Sequence, residues 1–329
     1  MGKRSTLVTL KNKIRILITG ASGLVGSRLT ADLERHGYAI RLASRNPEFV
    51  LHSSQDVKYI DWGDESSLLA ACQDVQIIIH AAGMNAQDCS LNPSGALLAN
   101  GVASAKLAIA ARRAGVGRLI YFSTAHVYVN PLSGTITEDI CPTNLHPYAS
   151  SHLAGEFALR YAGQDGSMQV LVLRMSNAFG SPLFPQSNCW TLLVNDLCRQ
   201  FAQKGRLQLV SNGQQWRDFI PLADVCAVVT RLLDCKKDFN SLGVLNLGGR
   251  SMQVIEMAEL VRARVAAVYG HLPAIQMPTT SLKNDTAFLN YRCDKLVDLI
   301  GPLNKDISGE IDGLLAFCMQ HFHNGKEAA

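Results

Sequence analysis

A tyrosine and a histidine four positions apart, Tyr148 and His152, have the spacing needed to work on one ligand. On a helix such residues share a face, so a phenol and an imidazole reach the same place. Ser123-Thr124 and Asn177 each follow an apolar run and add hydroxyl and amide groups, and His126 adds a second imidazole two residues beyond Thr124. Glycine supplies the other constellation. Gly20, Gly23 and Gly26 recur at three-residue intervals between an apolar run and an amphipathic stretch. In that context the first glycine permits a tight turn, the second lets the backbone approach a pyrophosphate, and the third lets a helix pack closely. The turn Gly20, Ser22, Gly23, Leu24, Val25, Gly26 then presents backbone N–H groups and the positive end of a helix to phosphate oxygens. The chemistry implied is that of NAD or NADP held within reach of a phenol and an imidazole.

The elements that must position these groups follow from periodicity. Short apolar runs at 14–19, 39–43, 57–60, 75–80, 118–123 and 170–174 read as strands, separated by helical patterns at 23–36, 94–114 and 148–162. Such alternation predicts an α/β chain: a doubly wound parallel-sheet Rossmann domain with a smaller α/β substrate-binding domain. The expected boundaries are 12–175 for the first domain, with 220–248 returning to it, and 176–219 and 249–329 mainly for the second. In a doubly wound sheet ligands bind at the carboxyl ends of the strands, where Thr124, Tyr148 and Asn177 fall. Beyond 176 the expected elements are helices at 190–204 and 251–268, the latter capped by Ser251, and strands at 207–210 and 244–247. The stretches 84–94, 181–190 and 276–290 read as pocket loops.

Strand two ends Ala43-Ser44-Arg45-Asn46, without the acid that would bind the adenosine ribose of NAD. Ser44 and Arg45 suit a 2′-phosphate instead, so NADP is preferred over NAD, with a solvated loop charge as the alternative reading of Arg45.

The 329-residue chain is 47% hydrophobic and 18% charged with a net charge of +4, a globular composition without acidic or basic blocks. No basic cluster interleaved with aromatics points to nucleic acid. No apolar run reads as long enough to span a bilayer, and the basic start Met1–Thr6 is not followed by a secretory apolar stretch. A cytoplasmic protein is expected. Nine scattered cysteines form no C-x-x-C pair, and nine histidines show no metal-binding spacing, so buried thiols and no metal are expected.

From Gly20 to about Gly301 the sequence resembles the extended short-chain dehydrogenase/reductase family of nucleotide-sugar epimerases, dehydratases and ketoreductases. The resemblance is carried by the glycine turn, by Asp61-Trp62 in the adenine loop, by His80-Ala81-Ala82-Gly83 after strand four, and by Asn100 on the following helix. It continues through Phe122-Ser123-Thr124-Ala125-His126-Val127-Tyr128, similar to SSxxVYG, and Arg174-Met175-Ser176-Asn177-Ala178-Phe179-Gly180, similar to LRxxNVYG. Gln215-Trp216-Arg217-Asp218-Phe219-Ile220 with Asp224, and Asn246-Leu247-Gly248, complete it.

The resemblance implies that Tyr148 is the general acid/base, that Thr124 binds the same substrate oxygen, and that Asn177 and Arg217 hold a nucleotide diphosphate. Asp61, Trp62, Ala81, Ala82, Gly83 and Asn100 join the cofactor site by the same implication. It also implies a homodimer, formed through the helices near 97–109 and 153–161, and a context of polysaccharide or deoxysugar synthesis.

Two departures stand out. The family's Tyr-x-x-x-Lys is Tyr148-x-x-x-His152 here, which leaves the ribose contact to a group mostly neutral at pH 7. His126 replaces the acidic residue of sugar dehydratases, so 4,6-dehydration is not expected, and His126 is a second acid/base or a packing residue. The leading expectation is hydride transfer at C4 of a nucleotide sugar, by a 4-ketoreductase or 4-epimerase. The alternative is a catalytically weak dinucleotide sensor or scaffold of the same fold.

Overall fold

The computed structural model describes residues 14–46, 56–278, 287–304 and 306–323, which leaves the basic start of the chain and most of the 276–290 loop outside the described residues. The chain divides into two units.

The first unit comprises residues up to 130, 138–175 and 230–246. Its centre is a seven-stranded sheet in the order β11-β7-β5-β4-β1-β2-β3. The strands are β1 (Arg15–Thr19), β2 (Ala39–Ser44), β3 (Asp56–Tyr59), β4 (Ile77–His80), β5 (Arg118–Thr124), β7 (Gln169–Met175) and β11 (Val244–Leu247). The pairings from β3 through β7 are parallel. β4 is buried at every position, as a strand covered on both faces must be. The chain runs outward from β1 to β3, then restarts at β4 on the other side of β1. That reversal leaves a crevice at the carboxyl ends of β1 and β4.

Helices cover the sheet. Leu24–Arg35 follows β1, and Pro147–Ala162 follows β5. Leu107, Ala108 and Ala111 pack with Leu17, Ile78, Leu119, Val170 and Leu159 in one core cluster. Each large side chain buried there contributes about 1.5–3 kcal/mol by leaving water.

Between β4 and β5 runs one continuous helix, Pro93–Arg113, with π-helical turns over Leu97–Val102. It corrects the expectation about apolar length. At 21 residues it is long and apolar enough to cross a membrane, yet half of its most apolar stretch is buried inside the protein. Its alanine-rich inner face, with Leu107, is core.

The second unit comprises 131–137, 176–229 and 247–329. β8 (Asn177–Phe179), β10 (Trp216–Pro221) and β12 (Arg250–Gln253) form a three-stranded sheet, with β10 central. β9 (Leu207–Gln208) pairs with β13 (Ile275–Gln276), and β6 (Gly134–Ile136) with β14 (Leu289–Tyr291). Helices Leu193–Lys204, Val254–Tyr269 and Ile307–Phe322 complete the unit.

Two expectations change here. The return to the first unit begins at Thr230 rather than at 220, because β10 is paired with β8 and β12. Ser251 is not a helix cap. It lies in β12 opposite Asp218 and donates to Asp218 Oδ2 at 3.0 Å, while Gln253 and Glu256 form the capping box of the next helix. The helices Glu65–Cys72, Ala86–Leu91, Asp294–Ile300 and Ile307–Phe322 were not anticipated, and Ala86–Leu91 occupies part of the expected 84–94 loop.

Candidate active site

The glycine turn sits on the crevice between β1 and β4. Gly20 has φ +70°, and a Cβ there would lie 2.7 Å from the Ala81 carbonyl and the Ala82 nitrogen. A Cβ on Gly26 would lie 2.3 Å from the Gly20 oxygen. Both positions therefore require glycine, the first for backbone conformation and approach, the second for approach alone. Gly23 caps the helix Leu24–Arg35 with no side chain on its N-terminal N–H groups. Those donors, with the helix dipole behind them, suit a phosphate.

The loop after β4 is braced from beneath. His80 is fully buried. Its Nδ1 lies 2.7 Å from Thr19 Oγ1, its Nε2 3.0 Å from Ser104 Oγ, and Thr19 Oγ1 accepts from the Ala82 N–H at 3.2 Å. Ser104 donates to the Asn100 carbonyl at 2.6 Å. The directions of these bonds form one chain, with Thr19 donating to Nδ1 and Nε2–H donating to Ser104. That chain assigns His80 as a neutral Nε2–H imidazole. Burial, aided by neighbouring His152, holds its pKa down to about 3. Asn100 accepts from the Met84 N–H at 2.7 Å and donates to Ser151 at 2.9 Å. It ties the Gly83-Met84 loop to the helix Pro147–Ala162. The π-helical turns place its side chain there, as such turns often do at functional sites.

Pro147 opens the helix that carries Tyr148 and His152, and His146 caps it: the ring Nδ1 accepts from the Tyr148 N–H at 3.1 Å. The other ring nitrogen meets Ser90 Oγ at 2.8 Å. Tyr148 and His152 pack edge-on, ring centroids 4.6 Å apart, and His126 lies 6.4 Å from Tyr148 by the same measure. Thr124 ends β5 and accepts from the His126 N–H at 3.1 Å. Burial pushes the Tyr148 phenol above its ordinary pKa, against a hydrogen bond from Thr124 that lowers it. His152 is 5% exposed, and burial holds its pKa to about 4, so it is neutral at pH 7. Its Nδ1 lies 2.9 Å from Tyr121 Oη, while its Nε2 is buried and has no hydrogen-bond partner among the described residues. Gly83 passes beside that edge of the ring: a Cβ there would lie 3.5 Å from His152 Cε1.

One turn further along the same helix, Glu156 is 1% exposed and is held by Arg174, Nε at 3.0 Å and Nη2 at 2.7 Å, and by Ser123. The Arg174 guanidinium stacks 4.7 Å from the Tyr128 ring, whose hydroxyl donates to Asn246 at 2.7 Å. Thus the LRxxN and SSxxVY segments meet in a buried ion pair that sequence reasoning did not anticipate.

At the end of β2, Ser44 is engaged locally with Asn46 and Arg45 is exposed. Asp61 accepts from the Gly63 N–H at 2.7 Å, and Trp62 packs against the core with its ring 6.0 Å from His80.

In the second unit Asn177 donates to the Asp218 carbonyl at 2.8 Å, fixing β8 to β10. Arg217 is partly buried, and among the described residues no ion pair joins it to a carboxylate. Burial lowers its guanidinium pKa. A desolvated cation of this kind suits an anionic ligand. A cavity of about 360 Å³ opens in the same unit among Asp218, Gly248, Ser251, Tyr291, Cys293 and Val297. Among the described residues no cluster of three or more His, Cys, Asp or Glu could hold a metal. Of the nine cysteines, six are buried, two half-buried and Cys141 exposed.

Residues 16–248 match the model of the NAD dependent epimerase/dehydratase family. The chain is 29% identical over 273 residues to the UDP-glucose 4-epimerase of Bacillus subtilis, covering 74% of this chain and 80% of that protein. Among solved structures, the UDP-glucuronic acid 4-epimerase of Bacillus cereus, in complex with UDP-glucuronic acid and NAD, superposes with a TM-score of 0.77 at 20% identity, over 93% of this chain and 99% of that one. RMD from Pseudomonas aeruginosa, complexed with NADPH, does so with a TM-score of 0.74 at 23% identity, over 93% and 99%.

Proposed function

The chain belongs to the NAD dependent epimerase/dehydratase family, and from that premise we propose that it exchanges a hydride between NAD(P) and C4 of a nucleotide-activated sugar. The observation that carries this reading is the juxtaposition of Tyr148, Thr124 and the unpaired Nε2 of His152 beside Gly83. A buried polar nitrogen left without a partner is unfavourable unless a ligand meets it. It therefore fits a dinucleotide ribose, as the helix N-terminus behind Gly23, which carries no side-chain cap among the described residues, fits the pyrophosphate.

Bound NAD(P) supplies or accepts the hydride. Gly20, Ser22, Gly23, Leu24, Val25 and Gly26 hold its phosphates; Asp61, Trp62, Ala81, Ala82 and Gly83 line its adenine and central region. Asn100 acts through the backbone of Met84. Arg45 favours NADP by reaching a 2′-phosphate, with the Ser44 turn presenting it. Tyr148 gives or takes the proton at the C4 oxygen, and Thr124 orients that oxygen. His152 hydrogen-bonds the ribose in place of lysine. His126 serves as a second acid/base beside the sugar. Arg217 and Asn177 take the nucleotide diphosphate. The apolar residues Leu98, Val102, Ile109, Phe157 and Tyr161, all at least 43% exposed, form the face of a homodimer. The setting is cytoplasmic polysaccharide or deoxysugar synthesis.

The neutral His152 favours a second reading. With no cation at the lysine position, the chain would bind dinucleotide and turn over weakly, as a sensor or scaffold.

A thermal-shift screen decides between binding and none: NAD(H) and NADP(H), each with UDP-, GDP-, CDP- and dTDP-sugars. A cognate pair raises the Tm by mass action. If no dinucleotide raises it, the proposal fails. Product formed with copurified oxidised cofactor identifies an epimerase, stoichiometric NADPH consumption a 4-ketoreductase, and ligand binding without turnover the sensor.

A further inference from the structure

Tyr121 lies on β5 three residues before Thr124, and its hydroxyl has no part in the chemistry above. It is nevertheless built into place. The side chain is 1% exposed, and its ring stacks on His80 at 5.2 Å and 25°. His80 is itself bonded at both nitrogens. On the facing helix Gly155 makes room for the hydroxyl, since a Cβ there would lie 2.8 Å from Tyr121 Oη and 2.6 Å from the Asn100 carbonyl. The nearest ring nitrogen, His152 Nδ1, is 2.9 Å away.

We propose that Tyr121 is a positioning residue that donates its O–H to Nδ1 of His152, fixing the imidazole as the Nε2–H form whose single donor meets the nicotinamide ribose of bound NAD(P). The inference rests on reading the crevice as a dinucleotide site.

The argument is one of donors. A lysine ammonium carries three protons and serves a ribose in any rotation. A neutral imidazole carries one, and it must be on the correct nitrogen. Replacing lysine by histidine therefore creates a need for a group that chooses the tautomer. Burial raises the Tyr121 pKa, so the phenol keeps its proton. Its hydroxyl has two polar neighbours, Ser104 and His152 Nδ1; Ser104 Oγ already donates to the Asn100 carbonyl and receives from His80 Nε2–H, and the sp² ring nitrogen takes the phenol proton. With Nδ1 occupied as acceptor, the proton of the neutral ring resides on Nε2, the nitrogen left unpaired.

The test is a two-bond ¹H–¹⁵N spectrum of the full-length, ligand-free protein labelled at histidine, with His152 assigned by its loss in His152→Gln. The expected wild-type pattern at pH 7 is Nε2–H with a hydrogen-bonded, unprotonated Nδ1. In Tyr121→Phe the Nδ1 resonance moves as its bond is lost, the Nδ1–H form appears, and NADP(H) affinity by calorimetry falls about five- to tenfold, the worth of one well-formed hydrogen bond. A merely structural role would lower the Tm and leave the tautomer alone.

An Nδ1–H or imidazolium His152 in the wild type overturns the proposal, as does an affinity within twofold in a folded Tyr121→Phe. Should that variant not fold, the wild-type spectrum alone decides. Tight dinucleotide binding with the wrong tautomer removes this inference and leaves the site's function standing; no dinucleotide binding by the wild type removes both.

Discussion

Two successive turns of the helix Pro147–Ala162 treat buried polarity in opposite ways. At Glu156 every strong group is answered: Arg174 forks onto the carboxylate, Ser123 donates to it, and Tyr128 stacks on the guanidinium. At His152, four residues earlier and nearly as buried, one nitrogen is answered by Tyr121 and the other by none of the described residues. Both are the same helix face seen one turn apart. The difference separates polar groups that hold the fold from those that await a ligand. Substitutions at the first should cost stability, and substitutions at the second should cost binding or turnover.

The largest effect expected from that contrast is at Tyr148. Tyr148→Phe should lower kcat by two to four orders of magnitude, the usual contribution of a positioned acid/base group. Its Tm should stay within about 2 °C of wild type, because among the described residues the hydroxyl's hydrogen-bond partner is Thr124. Turnover reduced less than tenfold would remove Tyr148 from its proposed role.

Glu156→Leu should do the reverse. Breaking a buried ion pair strands the Arg174 charge and costs about 3–5 kcal/mol. Urea unfolding should show that loss, with dinucleotide affinity retained in whatever fraction stays folded. A neutral result would mean that Tyr128 and solvent satisfy Arg174 without the carboxylate.

The two buried histidines sharpen the comparison by pH. Both are held neutral in the folded protein, to about 3 for His80 and about 4 for His152. The unfolded chain takes up their protons near 6.5, so the stability they contribute is complete above that pH and is lost as pH falls toward those folded values. Between pH 6.5 and 5 each should remove on the order of 1.5 kcal/mol, from 1.36 kcal/mol per pH unit per group. His152→Gln should abolish roughly half of the pH-dependent loss and keep the remainder, which belongs to His80. Equal losses in the variant and the wild type would show that His152 is already hydrated or charged.

How much of this was legible in the sequence depends on how local the cause is. The glycine turn was readable because Gly20 and Gly26 are demanded by backbone contacts within the turn and with the loop after β4. The shared face of Tyr148 and His152 was readable from spacing alone. The pairing of Glu156 with Arg174 was not, since it needs β7 laid against the helix before either residue's partner exists. The same holds for Tyr121, which looks from the sequence like any aromatic in a buried strand. β12 was misread as helix because its four residues are decided by register against β10, Ser251 opposite Asp218, and not by their own propensity. The Asn100 amide faces Met84 and Ser151 through π-helical turns that no periodicity announces.

The smallest effect lies at the start of the helix, where the two kinds of turn originate. His146 replaces the usual Ser, Thr, Asn or Asp cap, its ring Nδ1 receiving the Tyr148 N–H while Nε2 meets Ser90. Ser90 donates to the Ala86 carbonyl, so it receives from Nε2–H, and the ring is held in the tautomer that leaves Nδ1 free to accept. His146→Ala should therefore lose a cap, about 1 kcal/mol, and release the backbone at Tyr148. Ser90→Ala removes only the tautomer's anchor and should lose less. If the cap serves the acid/base residue as well as the helix, kcat should fall severalfold in His146→Ala while the KM for dinucleotide holds, because the phosphate-binding turn lies on a different helix. His146→Asn, which caps by the same acceptor geometry, should restore both the Tm and the rate; restoration of the Tm alone would leave His146 a structural cap and place the control of Tyr148 elsewhere.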